Sequence, residues 1–291
     1  MVCTDALADQ SFKTMLTIAG VVPYCNNPGS VARAIDSLRQ QTYPLSEILL
    51  IDDGSTVLPE WLIQKEFIRV KRFKTTRGRG AVRAFAIEQA ETDLILFCDA
   101  TIALPNSFAS MAVHWFADQL VAGVFGRVCQ ENAAHVVDRW RARHLFKERA
   151  AVSVSRQATL STGGCLIRRT AVLEAGNFNS SLVHSEDAEL GQRLLANGFD
   201  VIFDPALSAM CTVSNTLPQV LERYWRWHAG ADNAISLKNY IKQIVYSLKV
   251  MVPQDLSEAD FLSVPISLIV PHVQLWKSLR EQRRQKLARL Q

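Results

Sequence analysis

Long apolar runs are missing. No stretch of the 291 residues reaches the ~18 consecutive apolar positions that a membrane-crossing helix requires, which argues against a spanning segment. The first fifteen residues, MVCTDALADQSFKTM, hold two acids and no apolar core, so they do not read as a secretory signal. Cysteine is sparse and scattered. Cys3, Cys25, Cys98, Cys129, Cys165 and Cys211 form no C-x-x-C pair and no metal-ligand spacing, so they read as free or buried thiols in a reducing compartment. There is no internal repeat, no low-complexity linker and no G-x-G-x-x-G dinucleotide fingerprint, which sets aside solenoids and weakens any Rossmann dehydrogenase reading. A large charge of one sign is also lacking, the formal net charge being +4.

What is present is a globular composition, 48% hydrophobic and 21% charged, with length enough for one large domain or two halves that share a cleft. The basic residues cluster. Arg69, Lys71, Arg72, Lys74, Arg77, Arg79 and Arg83 crowd one stretch, and Lys277, Arg280, Arg283, Arg284, Lys286 and Arg289 crowd the end. Such clusters attract phosphates, nucleic acid or an anionic membrane surface.

Short β-branched runs alternate with helical patterns. LTIAGVVP (16–23), EILLIDD (47–53), 68–73 and LILFCDA (94–100) read as buried strands. Between them, a helix through Gln41 capped by Ser30 and a helix over 81–90 are expected. This β-α-β alternation predicts an α/β fold with a mostly parallel, twisted sheet flanked by helices, whose ligands sit at the carboxyl ends of strands. Further on, 107–126 predicts a helix and a strand, 138–150 an arginine-rich helix or a mobile segment, and 162–169 a glycine turn into a strand. SEDAELGQRLLANG reads as a helix capped by Ser185 and ended by Gly198. From Gln219 onward the chain reads as helical, interrupted by Pro253, Pro265 and Pro271.

Five constellations bear on chemistry, each with a plainer alternative. Asp52-Asp53 ends a strand, where an ionised carboxylate can accept from a base or a ribose hydroxyl, or merely close the Gly54-Ser55 turn. RGRGAVRA (77–84) joins glycine flexibility to Arg77, Arg79 and Arg83, which suits phosphate oxygens or a solvated turn. Asp99 in FCDAT can ligate a divalent cation on a diphosphate or cap a turn. Glu186-Asp187 follows His184 at a helix start, where a carboxylate can act as general base toward a hydroxyl or cap the helix. RYWRWH (223–228) packs arginines, aromatics and a histidine together, suiting sugar stacking and diphosphate neutralisation or an ordinary core face.

In this order, from about Leu16 to Trp227, these pieces resemble the family 2 glycosyltransferases of the GT-A fold. VVPYCNNPGSVARAIDSLRQQTYPLSEILLIDDGST is similar to the family's opening strand, helix and strand end. RGRGAVRA, FCDAT, TGGCLIRRTAVLEAGNFN and SEDAEL resemble its glycine-basic loop, D-x-D element, acceptor-side strand and Glu-Asp motif. The resemblance implies a GT-A domain over 1–234, with a Rossmann-like nucleotide-sugar half (16–104) and an acceptor half (105–234), followed by a helical extension (235–291). It implies an inverting, non-processive transferase that uses an NDP-sugar, foremost a UDP-sugar, and a saccharide or lipid-linked acceptor in building envelope polysaccharide, with no nucleic-acid partner.

By the same resemblance Pro23, Tyr24, Asp53, Arg83, Asp99 and Ala100 bind the nucleotide sugar. Asp187 is the base, Glu186 orients the site, and Gly163, Gly164, Trp225 and Arg226 face acceptor or diphosphate. Cys25 stands where the family has an aromatic residue. Thr101 stands in place of the second D-x-D acid, so a divalent cation, Mg2+ or Mn2+, is left open, with Asp99 and His228 as its candidate ligands. The tail after 260, apolar and then arginine-rich, suits an interfacial helix on an anionic leaflet, and places the chain in the cytoplasm or on the inner face of the cell membrane. Two rivals stand beside this reading. One is a nucleotidyltransferase-like enzyme, which should carry a glycine-lysine loop where YCNNPGS stands; the other is a catalytically inactive nucleotide-sugar binder.

Overall fold

The N-terminal apolar runs become strands because their β-branched residues fill both faces of a pleated ribbon. The computed structural model describes residues 15–57, 59–63, 67–150, 152–228 and 236–288. The N-terminal segment expected not to be a signal, Cys3, the boundary at residue 235 and Arg289 lie outside them. Strands β1 (Ile18–Tyr24), β2 (Glu47–Asp52), β3 (Ile68–Arg72) and β4 (Leu94–Cys98) pair in parallel in the order β3-β2-β1-β4. Helices α1 (Pro28–Arg39), α2 (Glu60–Ile63) and α3 (Arg79–Gln89) connect them. The chain leaves β1 toward β2 and β3, then crosses back to β4 on the other side. That reversal opens a crevice at the carboxyl ends of β1 and β4.

Beyond β4 the sheet continues through β7 (Gly164–Arg168), β6 (Val121–Gln130), β8 (Asp200–Cys211) and the two-residue β5 (Ile102–Ala103). β7 is antiparallel to β4 and β6, and β5 is antiparallel to β8, while β6 and β8 are parallel. The sheet is therefore mixed, with four parallel and three antiparallel ladders.

Alternate side chains feed two cores. Ile18, Val22, Leu94 and Leu96 pack with α1, α4 (Phe108–Val113), Trp140 and the C-terminal Met251, Ile266 and Val270. Ala19, Val21, Ile95 and Phe97 pack with α3, α6 (Arg169–Glu174) and α7 (Glu186–Ala196) on the other face.

The segment expected as a helix or a mobile stretch around 138–150 is α5 (Val136–Trp140) running into a π-helical turn, Arg141–Leu145. It is held by the C-terminal helices: α8 (Leu217–His228), α9 (Leu237–Tyr246), α10 (Val252–Ser257) and α11 (Val264–Ala288). Buried Asp255 meets His144 Nε2 at 2.7 Å and accepts from Ser267 Oγ at 2.6 Å. Asp260 accepts from Arg139 Nε and Nη2 at 3.0 Å each, and the Trp140 indole donates to Ser267 Oγ at 2.9 Å.

Three local expectations are corrected. Ser30 does not cap α1, because the helix starts two residues earlier with Pro28, whose fixed φ suits a first turn, and Ser30 Oγ is buried without a partner among the described residues. Ser185 precedes α7 at φ 60° and makes no side-chain cap. Pro271 does not interrupt α11. The carbonyl it deprives, that of Ser267, accepts instead from Ser247 Oγ at 2.6 Å, which removes much of the usual penalty.

Candidate active site

The two strand-end acids divide their work. Asp52, fully buried, closes its turn by accepting from the Ser55 N–H at 2.9 Å and pairs with Arg72 Nε at 3.1 Å. Asp53 faces the crevice, and its oxygens accept the backbone N–H groups of Arg77 at 2.7 Å and Gly78 at 3.0 Å. Gly54, which follows them, sits at φ +70°, with the Thr75 carbonyl carbon 2.6 Å from where a Cβ would stand. Glycine is the residue that tolerates both demands.

The basic loop that Asp53 holds sorts its three arginines. Arg77 lies 4.8 Å over the Phe73 ring. Arg83 is buried, donating to Asp99 Oδ1 at 2.7 Å and to Glu186 Oε1. Burial weighs against its charge, but Asp99, Glu186 and Asp187 outweigh that and hold the guanidinium above its usual range. Burial lifts the Glu186 carboxyl above the ordinary range, Arg83 pulls it back, and Asp187 adds to the rise. Arg79 alone of the three opens onto the crevice with no hydrogen-bond or ion-pair partner among the described residues.

Gly80 brings the loop to the segment that precedes α7. Its N–H donates to Leu182 O at 3.0 Å, and a Cβ there would stand 2.2 Å from Asn179 O. The segment preceding α7 thus lies directly on α3. Asp187, in the first turn of α7, accepts from the Thr162 N–H and Oγ1, both at 3.3 Å, and from the Ala188 N–H at 2.9 Å.

These groups line one cavity of about 540 Å³, a size typical of small-molecule sites. Pro23, Tyr24, Asp53, Arg83, Asp99, Ala100, Gly163, Glu186, Asp187 and Arg226 are all at its wall. Three expected residues are not. Gly164 is inside β7, packed against Ala209 and Leu104. Trp225 turns to α11 and donates to Ser278 Oγ at 2.9 Å. His228 stacks on Tyr224 at 4.1 Å, with Nδ1 2.8 Å from the Tyr224 carbonyl oxygen. The helical period explains the split, since 223, 226 and 227 share the cavity face and 224, 225 and 228 do not. Arg223, Trp227, Phe146 and Thr162 also line the cavity. Of these, Arg223 was legible as the i−3 neighbour of Arg226, whereas Phe146 and Thr162 arrive only through tertiary packing.

A divalent cation finds few ligands here. Thr101 occupies the place of a second acid, Asp99 is already paired with Arg83, and His228 is off the wall. Among the described residues no group of three or more His, Cys, Asp or Glu side chains could hold a metal ion. A hard cation wants several oxygen ligands, so the residues present do not fit one.

Solved structures with this architecture include the mannosyltransferase PcManGT from Pyrobaculum calidifontis, in complex with GDP-Man and Mn2+, at TM-score 0.58 and 16% identity, covering 92% of this chain and 76% of that one. GalNAc-T7 with UDP, GalNAc and Mn2+ aligns at TM-score 0.53 and 16% identity, covering 84% of this chain and 54% of that one. The fold is thus the GT-A fold of glycosyltransferases. The pattern of "Glycosyl transferase family 2" matches residues 21–176, just over half of the chain, and the chain belongs to that family. Hyaluronan synthase from Streptococcus pyogenes is 27% identical over 173 residues, 54% of this chain and 41% of that protein. Pre-mycofactocin glycosyltransferase from Mycobacterium tuberculosis is 23% identical over 197 residues, 64% of this chain and 40% of that protein. The matches span less than half the length of these relatives.

Proposed function

We propose that this chain is an inverting, non-processive glycosyltransferase that moves a sugar from a nucleoside-diphosphate sugar, with uridine as the base, to a hydroxyl of a saccharide or lipid-linked acceptor. The observation that carries the reading is the meeting of Asp53, Asp99 and Asp187 in one cavity, although they come from three separate stretches of the chain. Asp53 fixes the loop beside the base pocket, while Pro23 and Tyr24 wall it. Arg83 aligns Asp99 and Glu186, so the donor side and the catalytic helix share one rigid strut.

In the reaction, the Asp187 carboxylate takes the proton of the acceptor hydroxyl as that oxygen bonds to the anomeric carbon. The bond from that carbon to the diphosphate oxygen breaks on the opposite side, and the nucleoside diphosphate leaves with the electron pair. One displacement inverts the anomeric centre. Thr162 and the Ala188 N–H hold Asp187 in its orientation. Asp187→Asn is expected to lower transfer by about 10²–10⁴-fold, the range of a general base, with UDP affinity unchanged by calorimetry. Near-normal turnover in that variant would refute the assignment.

The C-terminal helices support a working place on the inner face of the cell membrane. Leu237, Ile241, Val245 and Leu248 form an exposed stripe along α9 and the turn that follows it, flanked by exposed Lys238, Lys242 and Lys249, and Phe261 and Leu262 are exposed nearby in sequence. An apolar stripe bordered by lysines suits an anionic leaflet. Among the described residues no helix is long and apolar enough to cross a membrane.

A further inference from the structure

We infer that the donor's diphosphate is held by Arg79, Arg223 and Arg226 in the absence of any metal ion. The inference rests on the transferase reading above and extends it to the chemistry of the leaving group.

Three arginines from two distant segments line one cavity wall. Arg79 begins α3, while Arg223 and Arg226 lie one helical turn apart on α8. Arg79 and Arg223 make no hydrogen bond or ion pair among the described residues. Arg226 has only a long contact of 3.8 Å to Glu222, and that carboxylate is shared with Lys277. That contact is made by its buried Nε, which has no hydrogen-bond partner among the described residues. Every other arginine facing this cavity is matched, since Arg83 spends its charge on Asp99 and Glu186.

Like charges gathered in a partly buried site weaken the fold unless an anion joins them. Burial depresses both Arg223 and Arg226, and the repulsion of Arg79 adds to each, against opposing pulls from Cys211 and Asp99 on Arg223 and from Glu222 and Glu186 on Arg226. A diphosphate relieves that repulsion and fills all the donors, because guanidiniums pair with phosphate oxygens in a bidentate manner. The acids tell the same story from the other side. A metal site needs carboxylates free to ligate, but Asp53 is taken up by the Arg77 and Gly78 N–H groups and Asp99 by Arg83, beside Thr101.

The test is titration calorimetry of the full chain with UDP and, separately, with uridine, in EDTA and in excess Mn2+. UDP is expected to bind equally well in both buffers. Arg79→Gln and Arg223→Gln are each expected to weaken UDP by about tenfold or more, as loss of a charge-assisted bidentate pair does, and to leave uridine unchanged. Retained uridine affinity reports an intact base pocket and fold. Tightening of UDP by tenfold or more on adding Mn2+ would overturn the inference while leaving the transferase reading intact, as would arginine variants that lose UDP and uridine equally. Failure of UDP, GDP and pyrophosphate alike to bind would sink both together.

Discussion

Replacing Arg83 with methionine would strip two carboxylates of one shared partner. Glu186 is 2% exposed and has Arg83 as its ion-pair partner, whereas the Asp99 side chain keeps 29% exposure and some access to water. The damage therefore falls mainly on Glu186. Breaking a buried ion pair from one side costs about 3–5 kcal/mol, and each kcal/mol moves the midpoint by roughly 2–4 °C in a chain of this size, so Tm should fall by about 6–20 °C. The pH dependence gives an internal check. A carboxyl whose folded pKa is raised binds its proton more tightly in the native state, so stability falls as pH climbs above the unfolded value near ~4.3. Burial already raises Glu186 and Arg83 is what restrains it, so the variant should lose more stability at pH 8 than at pH 5. Scanning calorimetry at the two pH values reads both effects, and Arg83→Met combined with Glu186→Met should recover most of the loss. A Tm within about 2 °C of the parent, or a loss that ignores pH, would refute the strut.

Gly80→Ala should destabilise, although alanine ordinarily gains about 0.5–1 kcal/mol over glycine within a helix. The added Cβ would stand 2.2 Å and 2.7 Å from the carbonyl oxygens of Asn179 and Leu182, so a loss of about 1–3 kcal/mol in urea denaturation is expected, and a gain would show that the contact yields. Ile241→Glu with Val245→Glu should abolish co-sedimentation with phosphatidylglycerol vesicles without shifting Tm, because α9 buries none of its own residues; unchanged vesicle binding would dismiss the membrane face.

Much of the fold could be read in advance because it rests on local periodicity. The runs around Val21, Leu49 and Ile95 announce buried strands by composition alone, and their alternation with α1 and α3 implies the parallel ladders. The reversal at β7 could not be read, since a five-residue apolar strand carries no mark of its direction. Ser30 misled because capping residues also serve inside first turns, and Pro28 was the stronger start signal. Pro271 misled because the group that rescues its orphaned carbonyl, Ser247, lies twenty residues away in sequence.

The site was legible at its acids and illegible at their partners. Asp53, Asp99 and Asp187 stand at strand ends or a helix start, positions that local pattern identifies. What each acid does is decided by residues it meets only after folding. Asp52 and Asp53 are adjacent and identical, yet one is spent on Arg72 and the other on the loop that carries Arg79. The same reasoning explains where Asp187 gets its aim. Ser185 supplies no cap, so the start of α7 is fixed from outside, by Thr162 on one side and by Arg83 on the other, and Arg83 is positioned by a helix whose own start depends on Gly78 and Gly80. The glycine-basic loop is thus as much the mounting of Asp187, the proposed base, as the proposed cradle for phosphate. A mutation there should misplace Asp187 before it weakens donor binding.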